Sequence, residues 1–382
     1  MIRFLAYLLI AASGAFAVCA EVGEEETPLA KPVNHRPFWI RADYLQWWAQ
    51  GAKTPPLVTT SPAGTPRTSA GVLGAPGTST LFGDQRLGDG GRSGWRIQMG
   101  YRLDACGCGG LEASYFRLAD KSDGFAATGA STPILAVPFF GALSGLAASN
   151  PISLPGTLFG RIDIEFDSEI QGAEFLITED IHASPGVRLE LLSGYRHFGL
   201  DETLGIVERS TVLSDPLGMV PTGTVFEIVD RFEVDNEFHG GQVGLRGSVA
   251  GDVWSLSVLG KIALGVNHQV VTINGRQRVD VAGAFRVDSP FGTLTQGSNI
   301  GRHSQHKFAV IPELSIDLAC RLTDNVRLSA GYTLIYFTRT VRPGDQIDLL
   351  IDPTQTVAQP SFSFEGSGLL VQGLHASLIV NY

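Results

Sequence analysis

Long apolar segments are absent from this 382-residue chain after its first twenty residues, although 44% of its residues are hydrophobic. A helix needs about 20 consecutive apolar residues to cross a bilayer, so the sequence excludes helical membrane spans from the remainder. Charged residues are few, at 17%, and the net charge is −10. Because no basic face would offset the charge of phosphates, we expect no nucleic-acid partner.

Cysteine is also scarce. Beyond Cys19, the chain has Cys106, Cys108 and Cys320, an odd number that cannot form a complete disulfide framework. Cys106 and Cys108 lack the two-residue spacer of a redox or zinc pair, and no histidine-rich segment lies nearby. A local bridge and two free thiols in a turn both remain open. The sequence predicts no metal site and no other cofactor.

The N-terminus has the pattern of a secretory signal. Arg3 precedes an apolar stretch, and small residues at 15–17 or 18–20 offer a cleavage site. We predict that residues 1–20 are a signal peptide that is removed. Segment 21–37 is acidic and contains proline, and we expect it to be a short periplasmic leader.

Alternation of apolar and polar side chains is the main feature of residues 38–382. Trp254 and Leu256 share one face of a strand, for example, whereas Ser255 and Ser257 share the other. The pattern predicts an all-β fold: a transmembrane, up-and-down antiparallel β-barrel of about ten strands, within a range of about eight to twelve. The expected strands lie at 38–50, 93–104, 109–119, 161–180, 186–209, 224–249, 253–275, 304–321, 326–341 and 362–382.

The connections between these strands alternate in length. Long segments lie at 51–92, 120–160, 210–223, 276–303 and 342–361, and short turns at 105–108, 181–185, 250–252 and 322–325. Outer-membrane barrels have short periplasmic turns and longer external loops, so this alternation favours a barrel in the bacterial outer membrane with lipid around it. A soluble Greek-key sandwich gives no reason for all long connections to share one end.

Two local features refine this prediction. At Gly240 and Gly241 the apolar face changes parity, from Phe238 to Val243, and we expect a β-bulge there. The last strand is apolar on one face and ends on Tyr382. That ending resembles the C-terminal signal recognised by the barrel-assembly machinery, which is therefore an expected partner.

The chain resembles a bacterial family, the putative beta barrel porin seven family, over residues from about 38 to the end. The motifs that carry the resemblance are Phe38-Trp39-Ile40-Arg41-Ala42-Asp43-Tyr44-Leu45 with Trp47-Trp48, Leu81-Phe82-Gly83, Ser93-Gly94, Gly194-Tyr195-Arg196, Asp201-Glu202, Asn236-Glu237-Phe238-His239-Gly240, Lys261-Ile262-Ala263-Leu264-Gly265, Gly331-Tyr332 and Arg342-Pro343-Gly344-Asp345-Gln346-Ile347-Asp348. One departure is the absence of a tryptophan after Tyr101. The resemblance implies a porin-like shape and supplies no substrate and no catalytic residue.

Charges of both signs fall on the faces expected to point inward. The candidate pore-lining residues are Arg96, Arg102, Glu112, Arg188, Glu190, Arg196, Arg231, Glu233, Lys261, Glu313, Asp317 and Arg327. Such a wall can sort solutes in an open pore. It can equally form ion pairs that fill a closed lumen, because a ten-stranded barrel has a backbone radius of only roughly 10 Å. Both alternatives stay open at this point.

Acidic stripes mark two of the strands. They comprise Asp163, Glu165, Asp167 and Glu169, and then Glu233, Asp235 and Glu237. We expect solvated wall charge above the membrane, with cation binding or bridging of lipopolysaccharide as the alternative.

External segments hold the other candidates. His303, His306, Asp345, Asp348 and Asp352 would share the external end, but no nucleophile motif accompanies them, and we expect the protein not to be an enzyme. The apolar stretch 131–148 is too short to cross a bilayer. It can plug the lumen, dock against a partner, or remain a flexible loop.

The expected function is an outer-membrane barrel of porin type that passes small polar solutes or serves as a structural surface barrel. The alternative is an adhesion or interaction barrel with a closed lumen that acts through its external loops. A surface hydrolase is the third hypothesis.

Overall fold

The computed structural model describes residues 37–103 and 109–382. The expected signal peptide, most of the expected leader, and Cys106 and Cys108 lie outside these residues. Cys320 is disulfide-bonded. The prediction for Cys106 and Cys108 therefore stays a prediction.

The described residues form β-strands and one short 3₁₀ helix, Pro343–Gln346. The strands are β1 (Phe38–Ala49), β2 (Ala52–Lys53), β3 (Pro56–Thr60), β4 (Ser79–Gly83), β5 (Arg86–Leu87), β6 (Gly90–Arg102), β7 (Gly109–Leu118), β8 (Lys121–Thr128), β9 (Leu135–Gly141), β10 (Ala147–Ser153), β11 (Leu158–Ser184), β12 (Val187–Val212), β13 (Val225–Ala250), β14 (Trp254–Asp280), β15 (Arg286–Ser289), β16 (Gly301–Arg321), β17 (Val326–Val341), β18 (Leu350–Ile351) and β19 (Gly366–Asn381). Within the described ranges, no helix is long and apolar enough to cross a membrane, a finding that has no bearing on β-barrels.

Ten of these strands close into an antiparallel barrel. The order around the ring is β1, β6, β7, β11, β12, β13, β14, β16, β17 and β19, and β19 pairs again with β1. This confirms the predicted all-β, up-and-down antiparallel barrel, each expected strand matching one strand of the ring. Short turns meet at one end of the barrel, hereafter the turn end, and the long connections meet at the other, the loop end.

The wall is much taller on one side than on the other. Strands β11 to β14 are 26 or 27 residues long, whereas β1 has 12 and β6 has 13. At the loop end β8 extends the wall, because it pairs with β11 beyond the part of β11 that pairs with β7. The long connections fold into the space above the short strands.

The apolar face of the wall changes sides along the barrel axis. Near the turn end, apolar side chains such as Val243 and Leu245 point outward, with 53% and 48% of their surface exposed, as lipid contact requires. Nearer the loop end, Phe232 and Phe238 point inward and are fully buried. The register of β13 with both neighbours is continuous across Gly240 and Gly241, so the predicted β-bulge there is wrong. The parity change marks the level at which the interior becomes apolar.

A small second sheet covers the loop end. It consists of β10, β9, β3 and β4 in that order, with β18 added parallel to β9. Its core includes the fully buried Leu57, Leu135 and Val137, which pack with inward-facing residues of the wall such as Phe166 and Phe232. We call this sheet and its connections the cap.

Candidate functional site

Ion pairs fill the lumen at the turn end. Arg246 of β13 crosses to Glu112 of β7 (2.6 Å) and also contacts Glu190 of β12 (3.2 Å). Arg102 contacts the same Glu190 (3.0 Å) and Asp180 (3.6 Å). Because β7 and β13 are separated by two strands in the ring, these contacts bridge the lumen rather than follow the wall.

A second group of charges lies deeper in the barrel. The Lys261 ammonium lies 2.6 Å from Glu174 and 3.3 Å from Glu313, and Arg196 contacts Glu313 at 2.5 Å. Gln242 donates to Glu174 (3.1 Å). Each charge is matched within hydrogen-bond reach, which is the condition for keeping charges inside a protein.

The short side of the barrel carries a third group. Arg41 of β1 contacts Asp43 (2.6 Å) on its own strand and Asp317 of β16 (2.6 Å), and Arg96 also contacts Asp43. His375 of β19 lies 2.7 Å from Asp317 through its Nε2. Polar side chains from four strands thus close this side of the lumen.

Ten of the twelve candidate residues point into the barrel. They are Arg96, Arg102, Glu112, Arg188, Glu190, Arg196, Lys261, Glu313, Asp317 and Arg327. The other two, Arg231 and Glu233, pair with each other at 2.5 Å on the outer face, so their assignment to the lumen is wrong. At that level the buried Phe232 and Val234 occupy the interior, and the intervening charges point to solvent.

Several partners in this network were missed by the sequence analysis. They are Arg41, Asp43, Glu174, Asp180, Gln242, Arg246 and His375. Leu245 points outward, so the alternation of side chains along a β-strand predicts that the adjacent Arg246 points into the lumen. Arg41 and Asp43 lie on the same face of β1 as the buried Leu45 and Trp47. Because that face carries both charged and apolar side chains, the alternation did not identify its charged residues as inward-facing.

An apolar layer crosses the lumen directly above the ion pairs. The rings of Trp47 and Phe116 lie 5.3 Å apart, those of Phe116 and Phe198 5.7 Å, and those of Phe198 and Phe337 5.3 Å. This chain of aromatic contacts runs from β1 through β7 and β12 to β17, across the barrel. We call this layer the seal; it comprises Leu45, Trp47, Ala49, Phe116, Leu118, Ile170, Phe198, Leu200, Phe238, Ala263, Ala309, Ile311, Ile335, Phe337, Leu369 and Val371.

A small cavity lies between the ion pairs and the seal. A cavity lined by Trp47, Phe116, Glu174, Arg196 and Glu313 has a volume of about 10 Å³. One water molecule needs roughly 10–15 Å³ on the same measure. The cavity is therefore too small to pass a hydrated solute.

Above the seal, the end of β17 and the connection that follows it bend into the barrel. Val341 donates its N–H to Asn236 and accepts from the same amide, both at 2.8 Å. Asn267 and Gln269 donate to the carbonyl of Arg339, at 3.1 and 2.5 Å. Tall strands on one side thus hold the incoming connection from the other.

Two buried acids of the wall hold the cap and the neighbouring 281–300 connection at the loop end. Asp230 accepts hydrogen bonds from the backbone N–H groups of Thr293, Leu294 and Thr295, and burial raises its pKa to about 6. Glu208 accepts from Asn150 of β10 (3.0 Å). Burial, and then the neighbouring Asp230, raise the pKa of Glu208 to about 8.

The expected apolar stretch 131–148 is part of the cap. Its residues Ile134 and Val137 are fully buried, whereas Leu143 and Leu146 near its tip are 65% and 69% exposed. The segment packs over the loop end of the barrel and lies outside the seal.

The external histidines and acids do not assemble into one site. His303 stacks on Phe362, with ring centroids 3.8 Å apart, whereas His306 stacks on His268 on the outer face. The loop acids hold turns: Asp348 accepts from the N–H groups of Leu350 and Ser361, and Asp352 from those of Thr354 and Val357. Asp345 is half-buried, with its pKa raised by burial.

The acidic stripes lie on the outer wall toward the loop end. Asp163, Glu165, Asp167 and Glu169 project from β11, and Glu233, Asp235 and Glu237 from β13. Asp163 pairs with Arg161 of its own strand, and Glu169 with Arg117 at 2.9 Å.

A comparison with protein families identifies the family of this chain. The family model described as putative beta barrel porin-7 (BBP7) matches residues 39–382, nearly the whole chain. The chain belongs to this family. As a member of this family the chain has an outer-membrane context. Because short turns of such barrels face the periplasm, we expect the turn end on that side and the loop end outside.

Solved structures of outer-membrane proteins are similar to the chain at a low level. The outer membrane protease OmpT from Escherichia coli is 10% identical, with 93% of this chain and 99% of that chain covered and a TM-score of 0.42. A Pseudomonas aeruginosa FadL homologue is 8% identical, with 91% and 90% covered and a TM-score of 0.24. No curated protein matches the chain.

Proposed function

We propose that this BBP7 protein is an outer-membrane barrel with a closed lumen, which acts as a structural or interaction protein through its capped external end. The observation that carries the proposal is the seal. Phe198, Phe238 and Phe337 are fully buried in the middle of the barrel, where a pore would expose polar side chains to water.

The ion pairs below the seal support the same function. The side chains of Arg196, Lys261 and Glu313 have only 4%, 2% and 5% of their surface exposed. In a conducting pore these charges would be hydrated and would exchange ions with the solvent. In this barrel each of these charges forms an ion pair with an oppositely charged side chain, as buried charges do in a protein interior.

Passive passage of small polar solutes is the second candidate function. The family description and the polar lumen below the seal favour it. Passage would require the seal and the connection after β17 to move apart. We propose no catalytic role, because the histidines and acids at the loop end serve stacking and turn formation.

Liposome swelling distinguishes the two candidates. Vesicles that contain the refolded protein should swell in small sugars no faster than empty vesicles. Parallel vesicles that contain a general porin are the positive control, because they show that the assay detects the passage of sugars. Swelling of the wild-type vesicles at a rate that falls with sugar size would replace our proposal with the porin function.

A further inference from the structure

A groove interrupts the outer wall at membrane level. Gly241 of β13 lies in register between Tyr195 of β12 and Leu264 of β14, whose side chains both point outward. This row of outward side chains therefore has a gap at β13. Ser193, Gly241, Val243, Ile262 and Leu264 line the resulting groove, which has a volume of about 400 Å³.

The groove opens toward lipid. Val243, Ile262 and Leu264 have 53%, 40% and 47% of their surface exposed. Their neighbours Gln242 and Lys261 point inward to the ion pairs and are buried. In an outer-membrane barrel this outward apolar face lies against hydrocarbon.

The fold does not require glycine at position 241. A Cβ atom there would meet only the carbonyl oxygen of Gly194, at 3.9 Å, which is an ordinary contact. At the adjacent Gly240 a Cβ would instead lie 2.6 Å from the carbonyl oxygen of Leu264. Gly240 is thus demanded by packing, whereas Gly241 leaves open an outward space that a side chain would fill.

Polar groups begin at the loop end of the groove. The Tyr195 hydroxyl and His239 Nδ1 lie 2.6 Å apart, and His239 also packs on His197 with ring centroids 4.8 Å apart. Glu237 and then Asp235 follow on the same outward face of β13. An apolar groove thus leads into hydrogen-bonding rings and then into carboxylates, within a few residues of one strand.

We propose that this groove binds one acyl chain of an outer-leaflet lipid, with a headgroup that carries both a phosphate and an ammonium. The phosphate would accept a hydrogen bond from the Tyr195–His239 pair, and the ammonium would lie near Glu237 and Asp235. Amphipathic aromatic and imidazole side chains are suited to this interfacial level. The carboxylates disfavour a headgroup that is only anionic, because like charges would adjoin.

A second copy of the chain is the competing occupant, since small residues in a membrane let two protein surfaces approach closely. A two-fold contact through this face would bring the acidic walls of both copies together. Glu233, Asp235 and Glu237 of β13, the strand at the centre of this face, would then lie opposite the same strand of the other copy, and the repulsion favours lipid over a second copy.

Native mass spectrometry of the full mature chain, released from detergent, tests the proposal. The probes are phosphatidylethanolamine, which carries phosphate and ammonium, and phosphatidylglycerol, which carries phosphate alone. We expect one phosphatidylethanolamine to be retained on the wild type, and about tenfold less on Gly241→Leu. The matched control is Gly260→Leu, an exposed glycine on β14 with open space around its Cβ, and it should retain lipid like the wild type.

The double variant Glu237→Gln, Asp235→Asn tests the headgroup separately from the acyl chain and serves even if Gly241→Leu folds poorly. It should bind the two lipids nearly equally, whereas the wild type should prefer phosphatidylethanolamine severalfold. Equal lipid retention by folded Gly241→Leu and the wild type would overturn the acyl-chain site. An unchanged preference in the Glu237→Gln, Asp235→Asn variant would overturn the headgroup assignment. A lipid-free dimer that Gly241→Leu abolishes would show that the occupant is a second copy.

Discussion

Arg342, on the connection after β17, forms a bidentate ion pair with Glu202 of β12 inside the barrel. Its Nε lies 2.5 Å from Oε2 and its Nη2 2.6 Å from Oε1. The two side chains are 2% and 0% exposed. This contact joins the short side of the wall to the tall side just above the seal, and it fastens the last external connection in the lumen.

Replacing Arg342 with methionine should loosen that connection. The change leaves the Glu202 carboxylate buried without its partner, at a cost of about 3–5 kcal/mol. We expect faster hydrogen exchange in residues 342–365, with no change in the strands at the turn end. Arg286→Met, in an exposed pair with Asp280, is the control and should have little effect. Equal protection in both variants would show that the ion pair does not hold the connection.

The cap should be less stable at alkaline pH. Glu208 has a pKa of about 8 in the closed structure, raised by burial and by Asp230, against an ordinary value of 4.5. Between these two values the closed state keeps a proton that the opened state has lost. Cap stability therefore falls as pH rises from about 4.5 to about 8 and levels off above that.

Protease sensitivity of the 281–300 connection measures this effect, because its Thr293 and Thr295 bond Asp230. Cleavage of the wild type should accelerate from pH 5 to pH 9. Glu208→Gln cannot ionise and should show a much weaker dependence on pH. An identical pH profile in both proteins would remove Glu208 from the explanation.

The barrel could be predicted from the sequence because two signals agree along its whole length. Alternation in segments such as 253–275 gives the strands, and the alternation of long and short connections gives the topology. The alternation assigned the wrong face to some residues, because the prediction assumed that the apolar face of a strand always points to lipid. Above Gly240 the apolar side chains point inward, so Arg231 and Glu233 were placed on the wrong face.

Charge on the lipid-facing wall should be costly only at membrane level. Leu314 is 49% exposed on the outward face of β16, midway along the apolar belt. Leu314→Arg should destabilise the folded protein by about 2–4 kcal/mol. Ser304→Arg lies on the same face of the same strand beyond the belt, and should cost far less. Urea unfolding in phospholipid vesicles compares the two, and similar losses would contradict the assigned position of the membrane.

Barrel closure depends on the C-terminal strand. Tyr382 donates its N–H to the carbonyl of Phe38 (2.8 Å), and the two rings lie 6.1 Å apart. Deletion of Tyr382 should lower the yield of heat-modifiable barrel in the outer membrane, since we propose that the assembly machinery recognises this end. Tyr382→Phe keeps the aromatic ring and should assemble normally. Normal assembly of the deletion would leave the terminal residue without a role in recognition.

The contents of the lumen could be predicted only in part. The charges of Arg196, Lys261 and Glu313 follow from strand parity, but their pairing depends on which strands face one another across the barrel. Phe198 and Phe337 meet from β12 and β17, which are far apart in sequence. The cap depends on contacts between separate connections, such as the pairing of β9 with β3, and no local pattern encodes these.

Single-channel conductance in a planar bilayer tests the closed lumen most directly. The wild type should insert and give no resolved conductance steps, because the seal closes the lumen above the ion pairs. The combined variant Phe198→Ser and Phe337→Ser opens the middle of the seal and should produce steps, which shows that insertion is detected. Stable, salt-dependent conductance from the unmodified protein would contradict the closed lumen.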